Sequence, residues 1–273
     1  MSAAGDRKFA GSIPQFYEQY LVPLIFHPYA ADLASRVARR KPSRVLEIAA
    51  GTGVVTRQLA TALPPDAAIV ASDLNQPMLD HAAAVGTARP VEWRQADAMQ
   101  LPFADESFDV VVCQFGVMFF PDKARAFAEA RRVLRPGGVF VFNVWDAIEE
   151  NEFADAVTTA LASVFPNDPP RFLARTPHGY HDRAAIARDL SDGGYVNAPQ
   201  IDTIAARSRA PSPREPAVAF CQGTPLRNEI ESRSSGGATL TDATDAAVRA
   251  LARQFGPGPV DGKMQAHIVT VHA

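Results

Sequence analysis

The stretch Val45-Leu46-Glu47-Ile48-Ala49-Ala50-Gly51-Thr52-Gly53 decides the fold of this chain of 273 residues. It predicts an apolar strand over 45–48, a loop of small residues over 49–53 and a helix over 54–63. Gly51 and Gly53 allow a tight backbone turn and let a ligand approach where a Cβ atom would collide. The first N–H groups of the helix would point into the same crevice.

Glu47 is the unusual residue of this segment, because it lies inside a strand that is predicted to be buried. A buried carboxylate needs a partner, and a nucleotide cofactor with a cationic or donor-rich group would provide one. The third glycine of the dinucleotide fingerprint is replaced by Thr56. An ordinary α/β turn that carries two glycines therefore remains an alternative at this point.

Asp73 follows the next apolar run, residues 67–71, twenty-two residues after Gly51. An acidic residue at the end of the second strand can accept hydrogen bonds from both hydroxyls of a ribose. The alternative is that Asp73 caps the following helix. Asn75-Gln76-Pro77 offers a better helix start, since proline is favoured in the first turn.

Further along the chain, Ala96-Asp97-Ala98 follows a third strand predicted over 91–94, where a carboxylate can read an adenine amino group or simply form an exposed turn. Residues 110–113 are continuously apolar, as in a buried parallel strand, and they lead into Gln114. A helix over 123–135, a stop at Pro136-Gly137-Gly138 and a strand over 139–144 complete the pattern.

The run from about residue 43 to 146 resembles the class I S-adenosylmethionine-dependent methyltransferases, in the small-molecule branch similar to ubiquinone/menaquinone C-methyltransferases. Ala49-Ala50 departs from the Gly-Cys or Gly-Ser that is usual in the family. Four motifs carry the resemblance in order, namely 45–53, Ala71-Ser72-Asp73 with Met78-Leu79, Ala96–Met99 with Leu101-Pro102-Phe103 and Ser107-Phe108-Asp109, and Leu134–Gly138.

The resemblance implies an α/β fold, a Rossmann-like, doubly wound, seven-stranded and mostly parallel sheet with an antiparallel last strand and a helical cap. We expect one methyltransferase domain over 1–273. Its expected parts are a helical cap (1–40), a cofactor-binding core (41–147), an insertion or cap with a helix (148–197), and the last two strands with their connecting segment (198–273). Strands are predicted over 200–207 and 264–272, helices over 153–165, 182–192 and 243–255, and a mobile loop over 232–241.

The family places S-adenosylmethionine, and its product S-adenosylhomocysteine, across the carboxyl ends of the strands, at the switch point between strands one and four. By resemblance, the expected cofactor contacts are Tyr20 (with Tyr17 second), Glu47, Ala49, Gly51, Gly53, Asp73, Leu74, Met78, Ala96, Asp97, Ala98 and Gln114. Gln114 also lies at the edge where the methyl group would emerge. The expected substrate contacts are Met118, Phe119, Trp145 and Tyr180, and the candidate bases are His178 and His181.

Composition restricts the function classes. The net charge of −3 disfavours a nucleic-acid substrate, and Cys113 and Cys221 are too few for a disulfide framework, which predicts reduced thiols in a cytoplasmic enzyme. We find no membrane span, signal peptide or histidine pattern typical of a metal site. The predicted activity is methyl transfer to O, N or C of a small, partly hydrophobic molecule, without a metal. An NAD(P)-dependent oxidoreductase and a non-catalytic S-adenosylmethionine-binding protein remain alternatives.

Overall fold

Seven strands form one sheet in this chain, whose computed structural model describes residues 5–7, 9, 11–233 and 238–273. The strands are β1 (Arg44–Ile48), β2 (Ala68–Asp73), β3 (Glu92–Gln95), β4 (Phe108–Gln114), β5 (Leu134–Trp145), β6 (Gln200–Ala210) and β7 (Val260–His272). Their order is β3-β2-β1-β4-β5-β7-β6, and the sheet is mostly parallel with antiparallel last strands. This order confirms the predicted Rossmann-like fold class.

The helices are α1 (Ile13–Phe16), α2 (His27–Ala38), α3 (Val54–Ala62), α4 (Gln76–Val85), α5 (Lys123–Val133), α6 (Glu152–Val164), α7 (Phe172–Arg175), α8 (Arg183–Asp192), α9 (Arg214–Gln222), α10 (Leu226–Arg233) and α11 (Leu240–Phe255). A π-helix covers Tyr17–Phe26, and short 3₁₀ turns cover Gly5–Arg7, Val117–Phe119 and Ile148–Glu150. None of the helices in the described part of the chain has the length and apolar character that a membrane crossing requires.

The chain divides into two compact units. The sheet unit consists of His27–Val144, Tyr180–Ile204 and Ala266–Ala273, and the helical unit consists of Met1–Phe26, Trp145–Gly179 and Ala205–Gln265. Strands β1 to β4 lie entirely in the sheet unit. The single-domain organisation and the internal boundaries expected from the sequence stay a prediction.

The sheet unit is built around two adjacent parallel strands that are buried along most of their length. Val45 of β1 pairs with Val110 of β4, and Leu46 pairs with Val111. Such continuous apolar runs are typical of a parallel sheet that is covered on both faces. Strand β1 lies between β2 and β4. From β1 the strand order proceeds to β2 and β3 on one side and to β4 and β5 on the other, and this reversal places the switch point at the carboxyl ends of β1 and β4.

Helix-to-helix packing holds the helical unit together. Helix α11 packs on α6 and α9, and the π-helix packs on α9. Helix α10 contacts the short helix α7 through Glu229, which is 2% exposed. Its carboxylate accepts hydrogen bonds from the backbone N–H groups of Arg171 (2.9 Å) and Phe172 (3.2 Å). The same carboxylate pairs with the Arg175 guanidinium at 2.7 Å. One buried acid thus caps the short helix α7 and ties it to α10.

Several predicted boundaries are wrong for identifiable reasons. Strand β5 begins at Leu134, before Pro136-Gly137-Gly138, because this stretch forms a register shift against β4 and does not merely end a helix. A Cβ atom on Gly138 would lie 2.8 Å from the Arg135 carbonyl oxygen and 3.1 Å from the Asp109 carbonyl oxygen, so the shift requires glycine there. The third strand covers 92–95 and not 91–94.

The connection between the last two strands contains two further helices, α9 and α10, of which α10 was not expected from the sequence. Residues 234–237 of the predicted loop 232–241 lie outside the described residues. The ends of that loop are helical, since Arg233 ends α10, and Thr239 caps α11 in a reciprocal capping box with Asp242.

Replacing Glu229 with alanine should lower the free energy of unfolding by about 1–3 kcal/mol, because the buried Phe172 N–H and the partly buried Arg171 N–H lose their acceptor. The matched control is Glu231→Ala, which removes an exposed ion pair with Arg227 one turn along the same helix and should change stability by at most about 0.5 kcal/mol. Urea unfolding of both variants measures the difference. Equal losses would show that Glu229 is not a structural cap.

Candidate functional site

The carboxyl ends of β1, β2, β3 and β4 meet at one edge of the sheet unit, since these strands are parallel. Backbone hydrogen bonds join the loops that leave them. The Ala50 N–H donates to the Ser72 carbonyl (2.9 Å), and the Ala96 N–H donates to the Asp73 carbonyl (3.0 Å). The segments predicted from the sequence to bind a nucleotide cofactor therefore lie side by side.

The loop after β1 has an unusual backbone conformation. Ala49, Gly51 and Gly53 have φ angles of +53°, +56° and +83°, a region that residues with a Cβ rarely adopt. At Gly53 a Cβ atom would also lie 3.0 Å from the Trp93 ring. Gly53 is the N-cap of α3, and as a glycine it brings no side chain to cap the N–H groups of the first turn. These features suit the approach of a polar ligand to the helix N-terminus.

Asp73 braces this loop from the end of β2. Its side chain is 7% exposed, and one carboxylate oxygen accepts the Gly51 N–H at 2.8 Å while the other accepts the Asn75 N–H at 2.8 Å. Burial raises the pKa of Asp73, and these hydrogen bonds partly offset the rise. Asn75 is the N-cap of α4 and Pro77 lies in its first turn, so the predicted helix start is confirmed. The alternative of Asp73 as N-cap is wrong. Its bond to Gly51 was not anticipated.

Glu47 is 1% exposed, and its carboxyl group is 2.5 Å from the Thr56 hydroxyl, which donates to it. Burial raises the pKa of Glu47 to about 8; the Thr56 hydrogen bond and the Arg57 charge act against this rise, and the Asp73 charge adds to it. Near neutral pH the group is therefore mostly protonated. The sequence showed the need for a partner but not that Thr56, at the position of the missing third glycine, provides it.

The turn after β4 is packed directly on the loop after β1. Phe115 has a φ angle of +49°, and its N–H donates to the side-chain oxygen of Asn143 on β5 at 2.8 Å. A Cβ atom on Gly116 would lie only 2.5 Å from the Ala49 Cβ atom, so this position requires glycine. Asn143 is completely buried. In the sequence it was only the single polar residue of an apolar strand.

The remaining predicted cofactor contacts in the sheet unit differ in exposure. Leu74 is 42% exposed, whereas the Met78 side chain is buried at 3%. Ala96 and Asp97 are half-buried, and Ala98 is nearly buried. The Asp97 carboxylate accepts the Met99 N–H at 2.9 Å and forms a turn. This agrees with the alternative interpretation of Asp97 as a turn residue, although the side chain is half-buried and not exposed.

The predicted substrate contacts are divided between the two units. Met118 is buried and Phe119 half-buried in the 3₁₀ turn after Gly116, in the sheet unit. Tyr180 belongs to the same unit, and its hydroxyl donates to the Asp189 carboxylate at 2.7 Å while its ring lies 4.6 Å from the Lys123 ammonium. Tyr180 thus holds α8 against α5. His181 is half-buried in the sheet unit.

Tyr20, Trp145 and His178 belong to the helical unit. The Tyr20 ring stacks on Phe16 with the ring centroids 5.9 Å apart, and the Trp145 ring lies 5.9 Å from His178. The His178 Nδ1 atom is 2.9 Å from the Asp146 carbonyl oxygen. Since a carbonyl can only accept, Nδ1 carries the proton, and in the neutral ring Nε2 is the basic nitrogen.

The residues at the edge of the sheet unit fit a nucleotide-type cofactor. Among the described residues, the Thr52 hydroxyl, both amide atoms of Gln114 and the amide nitrogen of Asn143 are buried without a hydrogen-bond partner. Leaving such a group unpaired costs about 1–3 kcal/mol, so a polar ligand would stabilise this edge. No group of three potential metal-binding side chains lies together in the described ranges.

Comparisons with known proteins point in one direction. A family model described as a methyltransferase domain matches residues 46–142. The ubiquinone/menaquinone biosynthesis C-methyltransferase of Stutzerimonas stutzeri is 43% identical over 169 residues, which cover 57% of this chain and 66% of that protein. The demethylmenaquinone methyltransferase of Mycobacterium sp. is 34% identical over 161 residues, 56% of this chain and 67% of that protein.

Among solved structures, the chain is similar to phosphoethanolamine N-methyltransferase 2 of Haemonchus contortus, in complex with phosphomonomethylethanolamine and S-adenosylhomocysteine. The TM-score is 0.60 at 16% identity, and the match covers 100% of this chain and 60% of the other. At this identity the likeness concerns the fold alone. The chain spans about two thirds of the length of these curated relatives and 60% of this solved structure.

The raised pKa of Glu47 predicts a specific pH dependence. Between its ordinary value of 4.5 and about 8, folded Glu47 keeps a proton that the unfolded chain has lost. Its contribution to stability is therefore fully present below pH 4.5 and disappears as the pH rises through 8. Glu47→Gln should remove this loss, so that the variant gains on the wild type by a few kcal/mol between pH 5 and pH 9. Denaturant unfolding across this range, with the exposed Glu92→Gln as control, measures the gain; parallel pH curves would contradict the assignment.

Proposed function

We propose that this chain, which belongs to the S-adenosylmethionine-dependent methyltransferase family, transfers a methyl group to O, N or C of a small, partly hydrophobic molecule. The oxidoreductase alternative loses its support, because the family model and the relatives are methyltransferases. The relatives named for quinone biosynthesis favour a carbon acceptor among the three atoms. The remaining alternative is a non-catalytic protein, which would bind S-adenosylmethionine without transferring its methyl group.

The observation that carries the proposal is the buried Asp73 carboxylate that holds the Gly51 N–H beside the N-terminus of α3. A carboxylate has about four acceptor positions, so Asp73 can brace the loop and still accept ribose hydroxyls. In this proposal the adenosyl group is contacted by Asp73, Leu74, Met78, Ala96, Asp97 and Ala98. The methionine group is contacted by Tyr20, Glu47, Ala49, Gly51 and Gly53. Gln114, an expected cofactor contact that also lies at the edge where the methyl group would emerge, is assigned in this proposal to the acceptor.

When bound, S-adenosylmethionine supplies a methyl group that its sulfonium has already activated, so the reaction requires no metal. The residues of this chain then have to hold an acceptor in line with that group and exclude water. Met118, Phe119, Trp145 and Tyr180 provide largely apolar surface for this purpose. Glu47 is mostly neutral near pH 7 and ionises when a cationic group lies close to it.

The partner is a small molecule and not a nucleic acid, because the net charge of −3 gives no basic field. We propose a cytoplasmic location from the two buried free cysteines, Cys113 and Cys221. Residues 148–180 cap the acceptor in this proposal. Since α6 packs on α9 and α11, deleting that segment would disrupt the helical unit, and point substitutions are the better test.

The cofactor assignment predicts that S-adenosylmethionine and S-adenosylhomocysteine bind and that NADH does not. Asp73→Asn should weaken S-adenosylhomocysteine binding about ten- to a hundredfold, because the amide keeps one acceptor oxygen and loses the charge that strengthens each bond. The control is Asp80→Asn, on the exposed face of α4. Isothermal calorimetry measures the dissociation constant of S-adenosylhomocysteine for the wild type, Asp73→Asn and Asp80→Asn. Binding of NADH without any response to either sulfur nucleoside would overturn the proposal.

The fixed tautomer of His178 predicts a role as general base when the acceptor must lose a proton. His178→Gln should lower kcat about 10²- to 10⁴-fold with an unchanged affinity for S-adenosylhomocysteine, whereas His181→Gln should retain turnover. Methyl-labelled S-adenosylmethionine in a metabolite extract, followed by mass spectrometry, provides the assay. If both variants keep full turnover, catalysis rests on positioning alone.

A further inference from the structure

Two carboxamide side chains lie next to each other at the carboxyl ends of β4 and β5. Gln114 and Asn143 are register partners in these parallel strands. Because paired residues of neighbouring parallel strands project from the same face of a sheet, both amides belong to one surface at the edge of the sheet unit. They also adjoin the Gly116 turn, which rests on the loop after β1.

The orientation of the Asn143 amide is fixed by the backbone. Its oxygen accepts the Phe115 N–H at 2.8 Å, so its nitrogen is directed away from that turn. This nitrogen is buried without a partner among the described residues, and so are both the nitrogen and the oxygen of the Gln114 amide. The two amide nitrogens offer N–H donors, and the Gln114 oxygen offers one acceptor.

Unpaired buried amides cost about 1–3 kcal/mol for each group, and native proteins keep few of them. A purely structural role does not explain Gln114, because its amide holds no other part of the described chain. The Gln114 amide therefore has the properties of a ligand-binding group.

The charge around the amides limits the kind of ligand. The carboxyl groups of Glu47 and Asp73 lie close to Cys113, the residue before Gln114. Burial raises the pKa of the Cys113 thiol, and these two carboxyl groups add to the rise. The Asp73 charge disfavours an anionic ligand here, and the amides offer mainly N–H donors, which a cation cannot accept, with only one acceptor oxygen. A neutral oxygen atom that accepts N–H donors, and can donate to the Gln114 oxygen when it is a hydroxyl, fits both conditions.

We infer that Gln114 and Asn143 are the specificity-determining pair for the methyl acceptor, and that the acceptor is an uncharged molecule with a hydroxyl or carbonyl oxygen near the atom that is methylated. This inference rests on the methyl transfer proposed above. A site built to hydrogen-bond a substrate oxygen rejects an analogue that lacks it by a large factor, because the amides are then left unpaired. Acceptors without such an oxygen should therefore be poor substrates, however well they fit in shape.

The test compares Gln114→Met, which keeps the length of the side chain and removes the amide, with the same change at Gln58, an exposed position on α3. Wild type and both variants are first titrated with S-adenosylhomocysteine by calorimetry. They are then incubated with methyl-labelled S-adenosylmethionine and a metabolite extract to identify the acceptor by mass spectrometry. Finally, kcat/KM is measured for that acceptor and for its analogue with hydrogen in place of the oxygen function.

Gln114→Met should bind S-adenosylhomocysteine within about threefold of the wild type, unfold at an equal or higher temperature, and lose about a hundredfold in kcat/KM. With the oxygen-free analogue, wild type and variant should be equally slow. Gln58→Met should match the wild type throughout. Gln114→Leu likewise removes the amide without adding a charge, and it provides the same comparison if methionine prevents folding.

An acceptor without such an oxygen, or undiminished turnover by Gln114→Met, would overturn the inference and leave the proposed function standing. A tenfold or greater loss of S-adenosylhomocysteine affinity in this variant would assign the amide to the cofactor and also overturn it. Failure of the wild type to bind S-adenosylhomocysteine, or to methylate anything in the extract, would refute the proposed function itself.

Discussion

The hydrogen bond from the Gly51 N–H to the Asp73 carboxylate is the interaction on which the candidate site depends. It joins the loop after β1 to the end of β2, at a position where the loop backbone adopts conformations that are unfavourable for most residues. The carboxylate is buried, and burial alone would make its charge costly. The N–H groups of Gly51 and Asn75 compensate for that cost, so the loop conformation and the charge of Asp73 stabilise each other.

Glu47 differs from Asp73 although both are acids at the ends of neighbouring strands. Asp73 accepts backbone N–H groups, while Glu47 accepts a single hydroxyl and has a pKa raised to about 8. The site therefore contains one acid that is held by fixed donors and one that responds to a ligand. Such a difference between neighbouring titratable groups is typical of functional sites.

The fold of the sheet unit was predictable because its signals are local. Continuous apolar runs identify β1 and β4, and glycine, proline and asparagine mark the turns around them. The bulge at Gly138 was not predictable, since the same proline and glycine residues are typical of both helix ends and β-bulges. Helix α10 was missed because it is only eight residues long and mostly polar.

The candidate site was predictable as a set of strand ends, but its internal contacts were not. Thr56, Asn143 and Gly116 became important only through partners that are distant in sequence, and a single sequence contains no signal for such pairs. Tyr180 is a further example, because its contacts with Asp189 and Lys123, which hold α8 on α5, were not indicated by the sequence. Which of the expected residues touch a ligand stays a prediction.

The contact between Gly116 and Ala49 has a consequence for how this sequence can change. The space between the loops after β1 and β4 holds one methyl group, which Ala49 contributes here. Position 116 has ordinary backbone dihedrals, whereas Ala49 has a positive φ angle. Glycine at position 49 would relieve the backbone strain there, but a Cβ atom at position 116 would still lie 2.7 Å from the Cys113 Sγ atom. The two loops and the end of β4 thus share a single volume constraint, and alanine at position 116 requires changes at both position 49 and position 113.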